Sequence, residues 1–131
     1  MILVDTGAWF ACVVPWDMNH AVAAAWMRQN REPLITTDFI IDEVLTLLRA
    51  RNEAPRAVVL GDQLFAGTWA TLHYIAADEI RDAWQVFRNY ADKEWSFTDC
   101  TCNVVMEKLG IKTAFSFDQH FRQFGTVTVV P

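Results

Sequence analysis

Four carboxylates in this chain stand where they could share a cation. Asp5 follows the apolar run Ile2-Leu3-Val4, and Asp118 follows Thr113 to Phe117; both runs read as buried strands. Ligands of parallel α/β sheets bind beyond the carboxyl ends of the strands, so both acids belong at that edge. Each has a plainer alternative, because Asp is a preferred cap and a helix follows both. Glu43 is more specific. On a helical wheel of Phe39 to Arg49, Ile40, Val44, Leu47 and Leu48 form the apolar face, and Asp38, Asp42, Thr46 and Arg49 gather opposite. Glu43 falls on the flank of the buried stripe, whereas Asp42 faces solvent. A carboxylate there must meet a cation, a donor or a proton, unless it pairs with an arginine or reaches water. Asp99 heads the apolar face Cys102, Val105, Met106 and Leu109 of a helix beginning at Phe97. Ser96-Phe97-Thr98-Asp99 also resembles a capping box with Asp in place of Glu. The two roles are compatible, since a helix amino terminus near a sheet edge is also an anion site.

The remaining candidates read as structural. Asp78 heads the amphipathic run Glu79 to Tyr90 and reads as its cap; Asp17, Asp62 and Asp82 read as surface or turn residues. His20, His73 and His120 share no metal-ligand spacing and are assigned no catalytic role. The tryptophans are spread along helices as core or interface residues; Trp16 and Trp95 are the two open to base stacking.

These residues need a frame to hold them. The strand Ile2 to Val4 leads into a helix from Ala8 to Val14, stopped by Pro15. Asn19 can cap a helix from His20 to about Asn30, and Leu34 to Thr36 is a second strand. Thr36 or Thr37 can cap a helix to about Arg51, and Pro55 suits the first turn of another that reaches about Phe65. Leu72 to Ile75 is a third strand. Helices from Asp78 to about Tyr90 and from Phe97 to Leu109 follow, the latter stopped by Gly110. The strand Thr113 to Phe117, a short helix Gln119 to Phe124 and the strand Val127 to Val130 complete the chain. Short apolar strands alternating with helices predict a parallel sheet covered on both faces.

Composition sets limits. The 131 residues suit one domain, and 53% hydrophobic content with six Trp and nine Phe allows a packed core without a metal or disulfide staple. A net charge of −5 argues against a protein that holds nucleic acid by coating its phosphates. Three cysteines suit a reducing compartment, and Cys100 and Cys102 point to different sides of a helix. Zinc has no recognisable motif here. The amino terminus reaches Asp5 too soon for a signal peptide, and Gly7 to Trp16 is far short of the ~20 residues of a membrane span. The expectation is a cytoplasmic chain with no membrane partner.

The motifs together resemble the PIN-domain nucleases, and within them the VapC-type toxins of prokaryotic toxin–antitoxin pairs. The first block is Ile2-Leu3-Val4-Asp5-Thr6-Gly7-Ala8-Trp9-Phe10-Ala11, and the second is Ile35-Thr36-Thr37 with Ile41-Asp42-Glu43-Val44. The third is Ser96-Phe97-Thr98-Asp99-Cys100, continuing through Met106 to Ile111 and on to Phe117-Asp118-Gln119-His120-Phe121. The likeness spans the chain, and the third block is its most specific part. It implies one PIN domain over residues 1–131, a three-layer α/β/α fold with about five parallel strands ordered 3-2-1-4-5, and a metal site at the strand ends. Asp5, Glu43 and Asp99 match the family's three principal acids, and Asp118 matches a fourth that many members carry. Thr6 and Thr98 match positions whose hydroxyls support the acids, a task that backbone amides could equally perform. Some relatives carry another acid one helical turn after the third; Asn103 stands there, which bears on whether one or two ions bind.

The implied chemistry is hydrolysis of RNA phosphodiester bonds, leaving a 5′-phosphate and a 3′-hydroxyl. Clustered carboxylates repel one another, and hard oxygen ligands suit Mg²⁺ or Mn²⁺. Such an ion lowers the pKa of its water and stabilises charge on phosphate and leaving oxygens. The resemblance also implies an RNA substrate, a cognate antitoxin and a homodimer. Arg49, Arg51 and Arg56 are the candidates for gripping RNA phosphate, against the reading that they form a solvated turn. A haloacid-dehalogenase-type phosphohydrolase would want a second Asp where Gly7 stands. A PIN scaffold that only forms complexes is the rival from the binding class, although all four acids are present.

Overall fold

A computed structural model describes residues 1–131. The elements run β1 (Ile2–Val4), α1 (Thr6–Val13), α2 (His20–Gln29), β2 (Leu34–Thr37), α3 (Asp38–Ala50) and α4 (Ala54–Phe65). Then come β3 (Thr71–His73), α5 (Ala77–Asn89), α6 (Phe97–Leu109), β4 (Thr113–Phe115), a 3₁₀ helix (Gln119–Phe124) and β5 (Thr128–Val130). All five strands are parallel, in the order β3-β2-β1-β4-β5. This is the expected fold class and strand order. Parallel pairing demands a crossover between successive strands, and the alternating helices supply it.

The central strand β1 is buried along its whole length, as expected of a strand covered on both faces. It pairs Ile2 with Leu34 on one side and with Thr113 on the other. The main core gathers Leu3, Val4, Trp9, Ile40, Ile41, Val44, Leu48, Leu60, Leu64 and Phe115. Trp26 of α2 stacks on Phe115 of β4 with ring centroids 4.2 Å apart. Thr37 is the cap of α3, its hydroxyl accepting from Ile40 N at 3.1 Å. Gly110 ends α6 at φ +68°, a left-handed conformation that glycine adopts without strain. All three cysteines are free, and Cys100 and Cys102 lie in different clusters of the core.

Several boundaries differ from expectation. α1 begins at Thr6 rather than Ala8. Strand β3 covers Thr71–His73 rather than Leu72 to Ile75, because Ile75 N is diverted to Asp38 Oδ1 at 2.9 Å. Asp38, expected on the solvent face, thus ties α3 to the loop before α5. Asp78 is not the cap of α5: the cap position is Ala76, and Glu79 reaches back to accept from Ala76 N at 2.7 Å. Asn19 occupies the cap position of α2 but makes no side-chain capping bond; its N–H donates instead to Asp17 Oδ2. Strand β4 stops at Phe115, two residues short of Phe117, although Ser116 N still donates to Val130 O at 3.0 Å.

Candidate active site

The parallel strands share one carboxyl edge, and that edge carries the acids. Asp5 leaves β1 with its N–H still on the ladder, donating to Phe115 O at 3.0 Å. It holds the cap position of α1, yet its side chain makes no capping bond. The carboxylate accepts instead from Ser116 Oγ at 2.9 Å, across 111 residues of chain. The same Ser116 oxygen accepts from Asp118 N at 2.9 Å, so one hydroxyl sets the spacing between the first and fourth acids. Asp118 caps the 3₁₀ helix, accepting from His120 N at 2.9 Å. Asp99 takes part in the capping box with Ser96: Asp99 N donates to Ser96 Oγ, and Ser96 N donates to Asp99 Oδ2, each at 3.0 Å. Capping therefore fixes this carboxylate without removing it from the edge.

Asp5, Glu43, Asp99 and Asp118 line one hollow of about 330 Å³, together with Thr6, Gly7, Glu94, Ser96 and His120. No Lys or Arg lines it. A larger cleft of about 700 Å³ lies between α3 and α4, but its walls are mostly Leu45, Ala57, Val58 and Phe65, and Asp62 is its single carboxylate. The chemistry belongs to the smaller one. On α3, Glu43 is half-buried and Asp42 exposed, the order the helical wheel predicts.

Electrostatics mark the hollow as short of positive charge. Burial pushes the Asp5 carboxyl up to about 7 from an ordinary 3.8; Asp99 and Asp118 add to the rise, and the Ser116 hydroxyl and Thr6 amide oppose it. Beneath the acids, Cys102 is fully buried, and its thiol is pushed well above its ordinary value by burial and by the charges of Asp5, Asp99 and Glu43. That thiol is inert.

The donors present fit a divalent cation. Ligand atoms of Asp99, Asp118 and His120 all lie within 4.8 Å of one another. Thr6, 94% buried, has a hydroxyl with no hydrogen-bond partner, an orphaned polar atom in the wall of an acidic hollow. The PIN domain family model matches residues 2–127.

The chain belongs to the PIN-domain family.

Among PIN proteins it is 32% identical over 131 residues to the 23S rRNA-specific endonuclease VapC20 of Mycobacterium tuberculosis, covering 100% of this chain and 99% of the relative. It is also 32% identical to a VapC ribonuclease of Archaeoglobus fulgidus, over 91% of this chain and 78% of that one. The crystal structure of M. tuberculosis VapC20, described as a sarcin–ricin loop cleaving toxin, superposes with a TM-score of 0.92 at 30% identity and full coverage of both chains. FitAcB of Neisseria gonorrhoeae matches at a TM-score of 0.69 and 16% identity, covering 100% of this chain and 97% of the other, a likeness of fold alone.

Four of the candidate residues lie outside the hollow. Thr98 does not line the hollow; its carbonyl accepts from Thr101 Oγ1 at 2.6 Å, and Asp99 is held by the backbone amide of Ser96. Arg49, Arg51 and Arg56 also lie outside it. Arg49 lines the α3–α4 cleft, Arg51 is exposed, and Arg56 is paired with Glu53 at 2.9 Å. The reason is geometric: Arg49 follows Glu43 by six residues, roughly 9 Å along the helix axis. Three contributors escaped the sequence reading. Ser116 looked like strand, Glu94 carried no signal, and His120 has no metal-ligand spacing to the other histidines. Its only trace was its place two residues after Asp118.

Proposed function

We propose that this protein is a divalent-metal-dependent endoribonuclease acting as the toxin of a toxin–antitoxin pair, with 23S ribosomal RNA at the sarcin–ricin loop as its substrate. The observation that carries the reading is the convergence of Asp5, Glu43, Asp99 and Asp118 on one hollow that no Lys or Arg lines. A cluster of carboxylates alone repels a phosphodiester; it becomes a nuclease site when a cation reverses its sign. The substrate is inferred from the VapC20 relatives, which match this chain end to end in sequence and backbone.

Asp5, Glu43, Asp99 and Asp118 would hold one or two Mg²⁺ or Mn²⁺ ions. When bound, the ion would supply Lewis acidity at the phosphate and a water of lowered pKa. The chain's own part is pre-organisation. Ser116 holds Asp5 and the backbone of Asp118 in one hydrogen-bond chain, Ser96 N fixes Asp99, and His120 N fixes Asp118. Hydrolysis adds water across the P–O3′ bond: the hydroxide joins phosphorus and the proton ends on the departing 3′ oxygen, leaving a 5′-phosphate and a 3′-hydroxyl. The reading also implies a cytoplasmic location, a homodimer and a cognate antitoxin. No helix is long and apolar enough to cross a membrane.

The test incubates purified protein with ribosomes in Mn²⁺, Mg²⁺ or chelator and maps new 5′ ends. A single cut in the sarcin–ricin loop, absent in chelator and absent with Asp99→Asn, is the expected result. Cleavage at other RNAs would correct the substrate. Equal cleavage in chelator would remove the metal mechanism, and no cleavage under any condition would favour a binding scaffold.

A further inference from the structure

His120 is the one side chain in the hollow, other than a carboxylate, that brings a ligand atom between two acids. Its Nδ1 lies 3.2 Å from Asp99 Oδ2 and 3.3 Å from Asp118 Oδ1. We propose that His120 is a nitrogen ligand of the metal centre, completing an Asp99–Asp118–His120 face, and that this mixed donor set favours first-row divalent ions over Mg²⁺. The inference rests on the metal-dependent reading above and adds to it one ligand and one selectivity.

Three observations carry it. Adjacent ligands of an octahedral ion at about 2.1 Å stand about 3 Å apart, and the separations of 3.2 and 3.3 Å already approach that edge. The ring is also placed by the turn that places the acid, because His120 N donates to Asp118 Oδ1 and makes acid and imidazole one short chelating unit. Finally, the buried hydroxyl of Thr6, without a partner, stands in the wall of the same hollow. This is independent of the acids and of His120, and it points to something polar entering there.

The chemistry then sets the preference. Mg²⁺ is hard, takes oxygen and retains several waters, so an imidazole contributes little to its binding. Ions of the series from Mn²⁺ to Co²⁺ and Ni²⁺ gain progressively from nitrogen ligands. Asp99 and Asp118 alone would hold either kind; His120 tilts the choice. The competing account makes His120 a positioning residue whose N–H only orients Asp99.

Mn²⁺ is the probe that separates these. Electron spin-echo modulation of the Mn²⁺-loaded protein should show coupling to a ¹⁴N nucleus, replaced by ¹⁵N coupling when the protein is grown on ¹⁵N-histidine. His120→Gln keeps an amide donor for Asp99 and offers only oxygen to a metal. It should lose the nitrogen signal, weaken Mn²⁺ and Co²⁺ by about tenfold or more in calorimetry, and leave Mg²⁺ within about twofold. Bound Mn²⁺ without nitrogen coupling in the parent overturns the ligand assignment, leaves His120 a donor to Asp99, and leaves the metal centre standing. A spectrum that stays that of the free aqua ion overturns the metal centre itself. The isotope exchange uses only the parent protein, so it decides the assignment even where His120→Gln fails to fold.

Discussion

Asp5→Asn should make the metal-free protein more stable at pH 8 and should have a much smaller effect at pH 5. The carboxyl is buried, with a folded pKa of about 7 against 3.8 in water. Between those values the folded chain keeps a proton that the unfolded chain has released, so stability falls as pH rises from about 4 to 7 and is level above. At about 1.4 kcal/mol per pH unit, the fall between pH 5 and 7 is about 3 kcal/mol, and close to 4 over the whole interval. Asn is nearly isosteric and retains an oxygen for the Ser116 hydroxyl, so it removes the titration and leaves the packing. For a chain of this size the difference corresponds to roughly 10 °C in melting temperature. Calorimetric melts in chelator at pH 5, 6, 7 and 8 measure it as a parent–variant gap that widens with pH, with other titrating groups cancelling between the two. Mn²⁺ at pH 8 should then raise the parent's melting temperature and the variant's by less, because the ion replaces the proton as the neutralising charge. Parallel pH profiles would refute the reasoning, since they would mean that Asp5 is ionised at no cost. A variant less stable by a constant amount would make Asp5 a structural hydrogen-bond acceptor only.

Other residues give independent checks. Glu43→Gln should abolish RNA cleavage while the exposed neighbour Asp42→Asn stays within about threefold of the parent; similar losses in both would misplace the face of α3. Ser116→Ala, which cuts the link between Asp5 and Asp118, should lower kcat by about 10- to 100-fold at saturating metal, read from single-turnover cleavage. Glu79 is fully buried and paired with His73 at 3.0 Å; burial raises its pKa, but hydrogen bonds from Ala76 N and His73 more than offset that and hold it below the ordinary 4.5. Its stabilisation is therefore present above pH 4.5 and lost as pH falls through its lower folded value. Glu79→Gln should cost about 2–4 kcal/mol at pH 7 in denaturant melts, with cleavage per folded molecule unchanged.

Much of this protein follows from local sequence. The apolar run Ile2-Leu3-Val4 becomes a strand buried along its whole length, and the alternation of short strands with helices requires the crossover architecture. Gly110 could be read as a stop because only a left-handed residue ends that helix in this way, and Glu43 could be separated from Asp42 because a helix has one buried side. Such features depend on periodicity and on backbone preference, which each segment carries by itself. Other features depend on which segments meet. Ser116 binds Asp5 only because β4 pairs with β1, bringing residues 111 positions apart to 2.9 Å. His120 faces Asp99 only because the 3₁₀ turn folds over the start of α6, and Arg49 misses the acids because helical rise carries it past them. The raised pKa of Asp5 likewise arises from burial by several elements at once, so no stretch of sequence contains it. Residue types and local geometry chose the acids; packing decided which of them meet, and with what partners.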